Sequence, residues 1–549
     1  MKKRGRRPNA RTYTIMLTGL SRASPNSGLD PLKTALSIYE SMHSPNSIVM
    51  PNVTHANAML TVCARQQDMD MLWKVAGDLP HEGEGAPDSR TYSIILRAIR
   101  ESSQRDLTDI DPKDVDKVLE RKSRTVREGK RIWSDIIFQW KRGQFTLDNI
   151  IVNSMAQILL DGSNDQDCYD TLALYNQTFG IPILAKNPAD ITKHRRDRGS
   201  RKTSEEAEDV PFVDKHNQPI KETGESDEPD QEENFEGLFD PVVGTGSQRA
   251  HMLSYLTPTN RELSTILEVC RSMTQGTGAG KSYWQHFTQG DHEQRIQPDS
   301  HSFHQYLRLL RVSRSSRAAL EVVRDEMGPT DQAESKTFHI ALSCCQRDRR
   351  NTNMFNTANE LLGLMTPYLL LPDLRALLGY LDIVDNLADN PQFLMSLKGI
   401  GIKPETDSHS LDTYSRRLQV GLRTTAAHHL HPHVVRLEEA MEQTRSQHPS
   451  SRSKKVASSF NATDFPGSLA LKVMVRTRAM IDLSLKLDPK VKPLLADADR
   501  KWLQEESKLL KKYSGEDVTD KFRTAVVVPT LSQKKQFEDE RKRRKQQRI

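Results

Sequence analysis

The feature that most constrains the fold of this chain is a short phrase that recurs along it. Each copy sets an Asn, Asp or Glu before eight residues with helical apolar spacing. The copies are Asn9-ARTYTIML-Thr18, Asn52-VTHANAML-Thr61, Asp88-SRTYSIIL-Arg97, Asp299-SHSFHQYL-Arg308 and Glu334-SKTFHIAL-Ser343. Repetition at such intervals indicates stacked supersecondary units that bury a core only by packing on their neighbours.

Aligning the copies places a leucine, once an alanine (Ala156), three residues after a position that is polar in all but one unit. We call this the fifth position; it holds Thr14, Asn57, Ser93, Asn153, Ser264, His304, His339 and Leu378. Successive spacings are 43, 36, 60, 111, 40, 35 and 39 residues. The shortest interval corresponds to one helical hairpin, and longer intervals indicate hairpins with insertions. The pattern predicts an all-α fold, an α-solenoid of helical hairpins.

The second helix of each hairpin has its own marker. Trp73, Trp133 and Trp284 each lie 15 residues before the residue that closes the unit, and Ala319 and Ala358 occupy the same slot in later units. Large aromatic side chains at one repeat position predict core packing between neighbouring hairpins.

These units resemble pentatricopeptide repeats, through the Thr-Tyr-Ser-Ile-Ile-Leu type of opening, the second helix and the closing Pro-Asp or Pro-Asn. The resemblance covers residues 8–182 and about 258–404. It implies that each repeat contacts one base of single-stranded RNA, whose exposed edges are read by the fifth and last residues of the unit. The related tetratricopeptide repeat, which binds proteins and has a period of 34, is the alternative family.

The resemblance assigns candidate RNA-binding pairs. Thr14 with Asn52 implies adenine, Asn57 with Asp88 uracil, and Ser93 with Asp148 guanine. Asn153 implies a pyrimidine, although its closing partner is lost in an insertion near Ile181. The remaining candidates are Ser264 with Asp299, which implies guanine, and His304 and His339, whose pairs with Glu334 and Asp373 depart from the family pattern. Asn and Asp at these closing positions are also ordinary helix N-caps.

Charge patterning places the linker between the two repeat regions, and the repeats and the helical spacing place the other domain boundaries. Residues 204–240 hold 14 acidic residues against Lys215 and Lys221, a local net charge of −12. Because the whole chain has a net charge of +6, the remaining residues carry +18. Low hydrophobicity and blocks of charge predict disorder in residues 204–240. The expected organisation is N-terminal repeats (8–182), charged disordered linker (183–250), C-terminal repeats (251–410), helical extension (411–443), flexible linker (444–466), helical block (467–531) and basic tail (532–549).

Several functional classes lack support in the sequence. No run approaches the ~20 apolar residues of a membrane span. The five cysteines show no CxxC spacing, and the histidines near Pro432 lack zinc-type partners, so they are interpreted as surface residues. The Gly-Lys-Ser of Gly276-TGAGKSY-Trp284 lacks the first glycine of a phosphate-binding loop and is interpreted as an interhelical turn. We expect no enzyme activity and no cofactor.

The first 29 residues are rich in Arg and Lys and hold no acid, which is typical of a mitochondrial presequence or of the start of a truncated chain. The expected partner is single-stranded mitochondrial RNA, bound by a monomer that supports RNA processing, stability or splicing. The insertions and the basic C-terminal block are similar to those of fungal pentatricopeptide proteins acting on small-subunit rRNA and group I introns. The alternatives are an assembly factor of the mitochondrial small ribosomal subunit, a tetratricopeptide-like protein scaffold and an RNA-processing enzyme.

Overall fold

The structure is a computed structural model. It describes residues 8–23, 30–45, 47–80, 83, 85–162, 164–189, 235, 237–241, 255–289, 294–398, 411–447, 467–488, 494–514 and 529–547. The described residues are helical or irregular, without a strand, which confirms the all-α prediction. The chain divides into two compact units, residues 1–286 with 291–294 and residues 287–290 with 295–549.

Unit 1 is a stack of helical hairpins. Its helices are α1 (Ala10–Ser21), α2 (Pro31–His43), α3 (Val53–Gln66), α4 (Met69–Gly77), α5 (Ser89–Asp109), α6 (Val115–Lys141), α7 (Asn149–Asp161), α8 (Asp165–Phe179), α9 (Asn260–Ser272) and α10 (Thr277–Gln289). Residues 277–286 of α10 belong to this unit. The first helices α1, α3, α5, α7 and α9 each contact the next, and α2, α4, α6 and α8 pack on their hairpin partners. This is the arrangement that the repeat spacing predicts.

Unit 2 continues the same pattern and ends in a helical block. Its helices are α11 (Ser300–Val312), α12 (Ser316–Glu321, extended by a π-helical turn Val322–Met327), α13 (Ser335–Arg347), α14 (Met354–Tyr368), α15 (Leu374–Ala388), α16 (Pro391–Ser396), α17 (Leu411–Gln447), α18 (Ser468–Leu487), α19 (Asp497–Leu510) and α20 (Leu531–Gln546). Helices α11, α13 and α15 contact in series, as the first helices of unit 1 do.

The closing residues of the repeats start the first helices. Asn9, Asn52, Asp88, Asp148, Asp299 and Asp373 are all N-caps whose side chains accept a hydrogen bond from a backbone N–H in the first turn. The leucines three residues after the fifth positions, and Ala156, are at most 1% exposed. The local capping signal and the apolar register therefore determine where each first helix begins and which face it buries.

The tryptophan slot is only partly a core position. Trp133 and Trp284 are buried as predicted, and so are Ala319 and Ala358. The prediction is wrong for Trp73, which is 39% exposed. Helix α4 has only nine residues and buries Leu72 and Val75, so Trp73 is rotated towards solvent.

The C-terminal block packs directly on the last repeats of unit 2. Helix α17 contacts α14 and α15, and α18 lies against α15, where Arg476 donates to Asp382 and Asp385 at 2.6 Å each. In α20, which contacts α14, Arg541 pairs with Asp331 and the Arg544 guanidinium lies 5.0 Å from the Tyr368 ring centroid. Part of the predicted basic tail is thus engaged with its own unit.

The predicted linker between the repeat regions falls largely outside the described residues. Residues 237–241, inside that range, lie against α8: the Gln177 amide donates to the backbone carbonyls of Leu238 and Asp240, and Phe239 is buried. The acidic strip before them, and the flexible linker at 448–466, lie outside the described residues.

His433 corrects the interpretation of the histidines around Pro432 as surface residues. It is 2% exposed inside α17, and burial, followed by the positive charge of Arg436, lowers its pKa from 6.5 to about 4. The hydrogen bond to the Leu362 backbone has a smaller effect that raises the pKa of His433, and the nearby His429 has a still smaller effect that lowers it. At neutral pH, His433 is therefore uncharged in the folded chain.

This burial predicts acid sensitivity of unit 2. Between pH 6.5 and pH 4 the unfolded chain binds a proton that folded His433 does not, so stability is full above about pH 6.5 and falls as the pH is lowered. Between pH 7 and pH 5 the loss from this group is about 1–2 kcal/mol. We expect His433→Gln to lose that much less than the wild type in urea titrations at the two pH values. His339→Gln, at an exposed histidine, is the control; equal pH dependence in all three proteins would contradict the assignment.

Candidate nucleic-acid interface

The candidate base-reading residues lie on the first helices, one helical turn after each N-cap. In unit 1, Asn57, Ser93, Asn153 and Ser264 are at most 5% exposed, and Thr14 is half-buried. In unit 2, His304 is 4% exposed, Leu378 is half-buried and His339 is exposed. Within each unit most fifth positions are therefore buried or half-buried, where short polar side chains need hydrogen-bond partners.

Asn57 and Asp88, one of the predicted pairs, are in direct contact. Asn57 Nδ2 donates to Asp88 Oδ1 at 3.0 Å, across the contact between α3 and α5. The Thr91 hydroxyl lies 2.7 Å from Asn57 Oδ1 and 2.8 Å from Asp88 Oδ1, and its single proton serves one of them at a time. The fifth and last residues of this repeat thus form one hydrogen-bonded unit.

Asp88 is ionised in this hydrogen-bonded group with Asn57 and Thr91. Partial burial raises the pKa of its carboxyl. The hydrogen bonds from the Thr91 backbone, the Asn57 amide and the Thr91 hydroxyl, together with the charge of Arg90, outweigh that effect and lower the pKa below its ordinary value. Asp88 therefore offers an exposed carboxylate, an acceptor only, beside an amide that has donors and an acceptor.

Two other predicted pairs of unit 1 are held by different bonds. Thr14 donates to the Ala10 carbonyl at 3.3 Å, while Asn52 caps α3 through the His55 N–H. The Ser93 hydroxyl donates to the Ser89 carbonyl at 2.7 Å, and Ser89 in turn bonds to Asp148. Ser89, the first residue of its helix, thus stands between the two predicted readers.

Asn153 is the most enclosed of the candidates. Its amide donates to the Asn149 carbonyl at 2.7 Å and to Glu262, and its oxygen accepts from the Tyr175 hydroxyl at 2.9 Å. Glu262 is itself the capping-box residue of α9, bonded to the N–H of Thr259. In the described arrangement, Asn153 links two neighbouring first helices.

The unit 2 candidates show a related arrangement. The His304 imidazole lies 2.9 Å from the Thr337 hydroxyl of the next first helix. Burial, with the charge of Lys336 next, lowers the pKa of His304 to about 4, so the ring is neutral at physiological pH. Ser335 bonds to Asp373, as Ser89 does to Asp148.

The predicted partners Ser264 and Asp299 belong to different units. Asp299 caps α11 by accepting a hydrogen bond from the Ser302 N–H at 2.7 Å.

Sequence reasoning missed the third residue of the following first helix. Thr91, Glu262 and Thr337 bond Asn57, Asn153 and His304 respectively, and all three are buried members of capping boxes. The capping-box spacing of Thr259 and Glu262 was a readable signal for one of them. Fifth-position side chains are therefore tied to the caps of the next repeat.

Other candidate chemistries find no geometry in the described part of the chain. The five cysteines are buried and free, and no group of three metal-ligating side chains forms there. The interpretation of the Gly-Lys-Ser motif as an interhelical turn is wrong, because Lys281 and Ser282 lie inside α10 and only Gly276 precedes that helix. None of the described helices combines the length and the apolar character that crossing a membrane requires.

No protein-family model and no curated protein matches the chain. Among solved structures, the pentatricopeptide repeat protein PPR10 from maize matches with 12% identity over 99% of this chain and 78% of that chain, at a TM-score of 0.24. Two structures of PPR10 in complex with an 18-nt psaJ RNA element, one of them a cysteine-to-serine variant, match with the same identity and coverage and a TM-score of 0.20. Likeness at this level assigns no function to the chain.

Proposed function

We propose that the chain is a non-catalytic, sequence-selective binder of single-stranded RNA. The observation that supports this most is the Asn57–Asp88 contact, which places an amide and a carboxylate side by side at the edge of the first-helix surface. Single-stranded RNA exposes the base edges that such groups recognise, one base for each helical repeat. The basic charge of the chain outside its acidic segment favours a polyanionic partner.

The chemistry of the pair fits uracil. One Asn57 N–H is used by Asp88, and the other has no partner among the described residues; Asp88 Oδ2 likewise has none there. Uracil presents one N–H donor between two carbonyl acceptors. A carboxylate oxygen accepts that N–H while the amide N–H donates to a flanking carbonyl. Asn57 is 4% exposed, so contact with a base requires that neighbouring side chains move.

We propose further that the protein acts in mitochondria, where it supports RNA processing, stability or splicing of small-subunit rRNA or intron-containing transcripts. The compartment is proposed from the composition of the first 29 residues, which are rich in Arg and Lys and hold no acid, although Ala10–Ser21 of this stretch form α1 and belong to the folded repeats. The departures of His304, His339 and Leu378 from the family pattern favour a second function, assembly of the small ribosomal subunit, in which unit 2 contacts rRNA without reading its sequence.

The deciding experiment is in-cell crosslinking of the full chain, followed by sequencing of bound RNA with mitochondrial transcripts scored separately. We expect one dominant mitochondrial footprint that contains A-U-G-pyrimidine. Broad coverage of small-subunit rRNA without a shared motif would favour the assembly function. Recovery of proteins but no RNA would contradict both and favour a scaffold.

A further inference from the structure

A second register of side chains lies one helical turn before the fifth positions. The residue three before each fifth position is exposed in all eight first helices, in contrast to the mostly buried fifth positions. In chain order this register holds Arg11, Thr54, Arg90, Ile150, Arg261, His301, Lys336 and Arg375. Residues three apart on a helix share a face, so this register flanks the candidate base readers. We call it the basic register.

The charge of this register exceeds what composition gives. With 79 Lys and Arg in 549 residues, about one of eight positions would be cationic by chance. Five are permanent cations and a sixth is histidine. The two exceptions, Thr54 and Ile150, lie within unit 1 between cationic neighbours.

The five cations have no direct ion-pair partner within the described residues, although the charge of Arg90 acts on the neighbouring Asp88. Arg11, Arg90, Arg261, Lys336 and Arg375 form no salt bridge and no side-chain hydrogen bond within the described residues. Cations elsewhere on the chain are commonly paired: Arg100 with Asp161 at 2.6 Å, and Lys130 with Asp170 at 2.6 Å. Exposed cations in one register that are not held in a salt bridge are available for an anion.

We infer that the basic register binds the phosphate groups of the RNA strand, with one side chain for each cationic repeat. This inference rests on the proposed RNA-binding function and deepens it. A strand whose bases approach the fifth positions carries its backbone past the same helical face, within reach of the long Arg and Lys side chains. The contact adds affinity without reading sequence.

The two units then make different kinds of contact with RNA. Unit 1 combines Arg11, Arg90 and Arg261 with fifth-position pairs that fit bases. Unit 2 keeps the basic register at Lys336 and Arg375, where the fifth-position residues depart from the family pattern. The C-terminal repeats therefore contact RNA through its backbone, without adding sequence preference.

The test measures RNA affinity against salt concentration, using the full chain and a labelled RNA that contains A-U-G-U. For single strands, each phosphate contact contributes about 0.7 to the slope of log affinity against log salt. We expect the triple variant Arg11→Ala, Arg90→Ala, Arg261→Ala to lower that slope by about 2, with the base preference unchanged. Between 50 and 200 mM salt, the wild type then loses about 20-fold more affinity than the variant.

The matched control removes the same charge from second helices. Lys33, Lys74 and Arg127 are exposed cations of α2, α4 and α6, and replacing all three by alanine should leave the slope within error of the wild type. A second pair of changes, Thr54→Arg and Ile150→Arg, fills the uncharged positions and should raise the slope by about 1.4. This gain of function does not depend on the alanine variants folding.

The outcomes separate the two levels of inference. Equal slope losses in the triple variant and its control, with base preference intact in the wild type, would overturn the basic register and leave the proposed function standing. A wild-type chain without measurable RNA affinity at 50 mM salt would overturn both. Loss of base preference in the triple variant alone would assign these residues to base reading and overturn their role as phosphate ligands.

Discussion

Replacing Trp133 by alanine is expected to lower the free energy of unfolding of unit 1 by about 3–5 kcal/mol. The Trp133 side chain is fully buried on α6, and its Nε1 donates to Gln177 of α8 at 3.3 Å. Truncation removes the largest core side chain of this hairpin and leaves a cavity that close-packed neighbours fill only in part. It also leaves the amide of Gln177 with one fewer partner.

Trp73 provides the matched control, because it occupies the same repeat slot and is 39% exposed. Trp73→Ala should cost less than about 1 kcal/mol, since little apolar area leaves the core. Both values come from urea titrations followed by circular dichroism at pH 7. Equal losses of unfolding free energy in the two variants would contradict this argument. They would show that the position in the repeat, rather than the burial of each side chain, determines how much its tryptophan stabilises unit 1.

These two tryptophans show what could be predicted from the sequence and what could not. The helix starts and the buried leucines were predictable from local signals, namely a capping residue followed by apolar residues at helical spacing. The packing of Trp73 depends on the rotation of α4 about its axis. A count of 15 residues back from Asp88 passes through a connecting loop and does not fix that rotation, whereas Leu72 and Val75 do.

The candidate interface was also predictable only in part: contacts between adjacent repeats were predictable, whereas contacts across insertions were not. The repeat register placed Asn57 and Asp88 in adjacent helices, and their contact follows from that placement. The bond between Asn153 and Glu262 joins residues 109 apart across an insertion, so no local pattern indicated it. The docking of Arg476 on Asp382 and Asp385 is likewise a tertiary contact between segments whose spacing along the chain carries no signal.

Asn57→Ser is expected to change the preferred base at the second contacted position from uracil to guanine, by about 10-fold in relative affinity. The change removes the amide that donates to Asp88 and accepts from Thr91. Asp88 then faces the base with its carboxylate released from that donor. Guanine presents two adjacent N–H groups to a carboxylate, whereas uracil presents one, and the amide that recognised the uracil carbonyl is gone.

The chain supplies its own reference for this substitution. Ser93 with Asp148 is a natural serine–aspartate pair, in which the serine hydroxyl donates to the backbone four residues earlier. Asn57→Ser should adopt the same bond to Val53, and the reciprocal Ser93→Asn should move the third position from guanine towards uracil. The measurement is competition binding with RNAs that differ only at the second or third base.

Stability must be measured beside affinity, since losing the two hydrogen bonds of Asn57 should cost about 1–2 kcal/mol. Binding is therefore compared at a temperature where both proteins are folded by circular dichroism. A folded Asn57→Ser that still prefers uracil would show that Asn57 serves the cap of α5 and that the base is read elsewhere. A shift to guanine at the second position alone would fix the register of the whole strand, because adjacent repeats are constrained to contact adjacent bases.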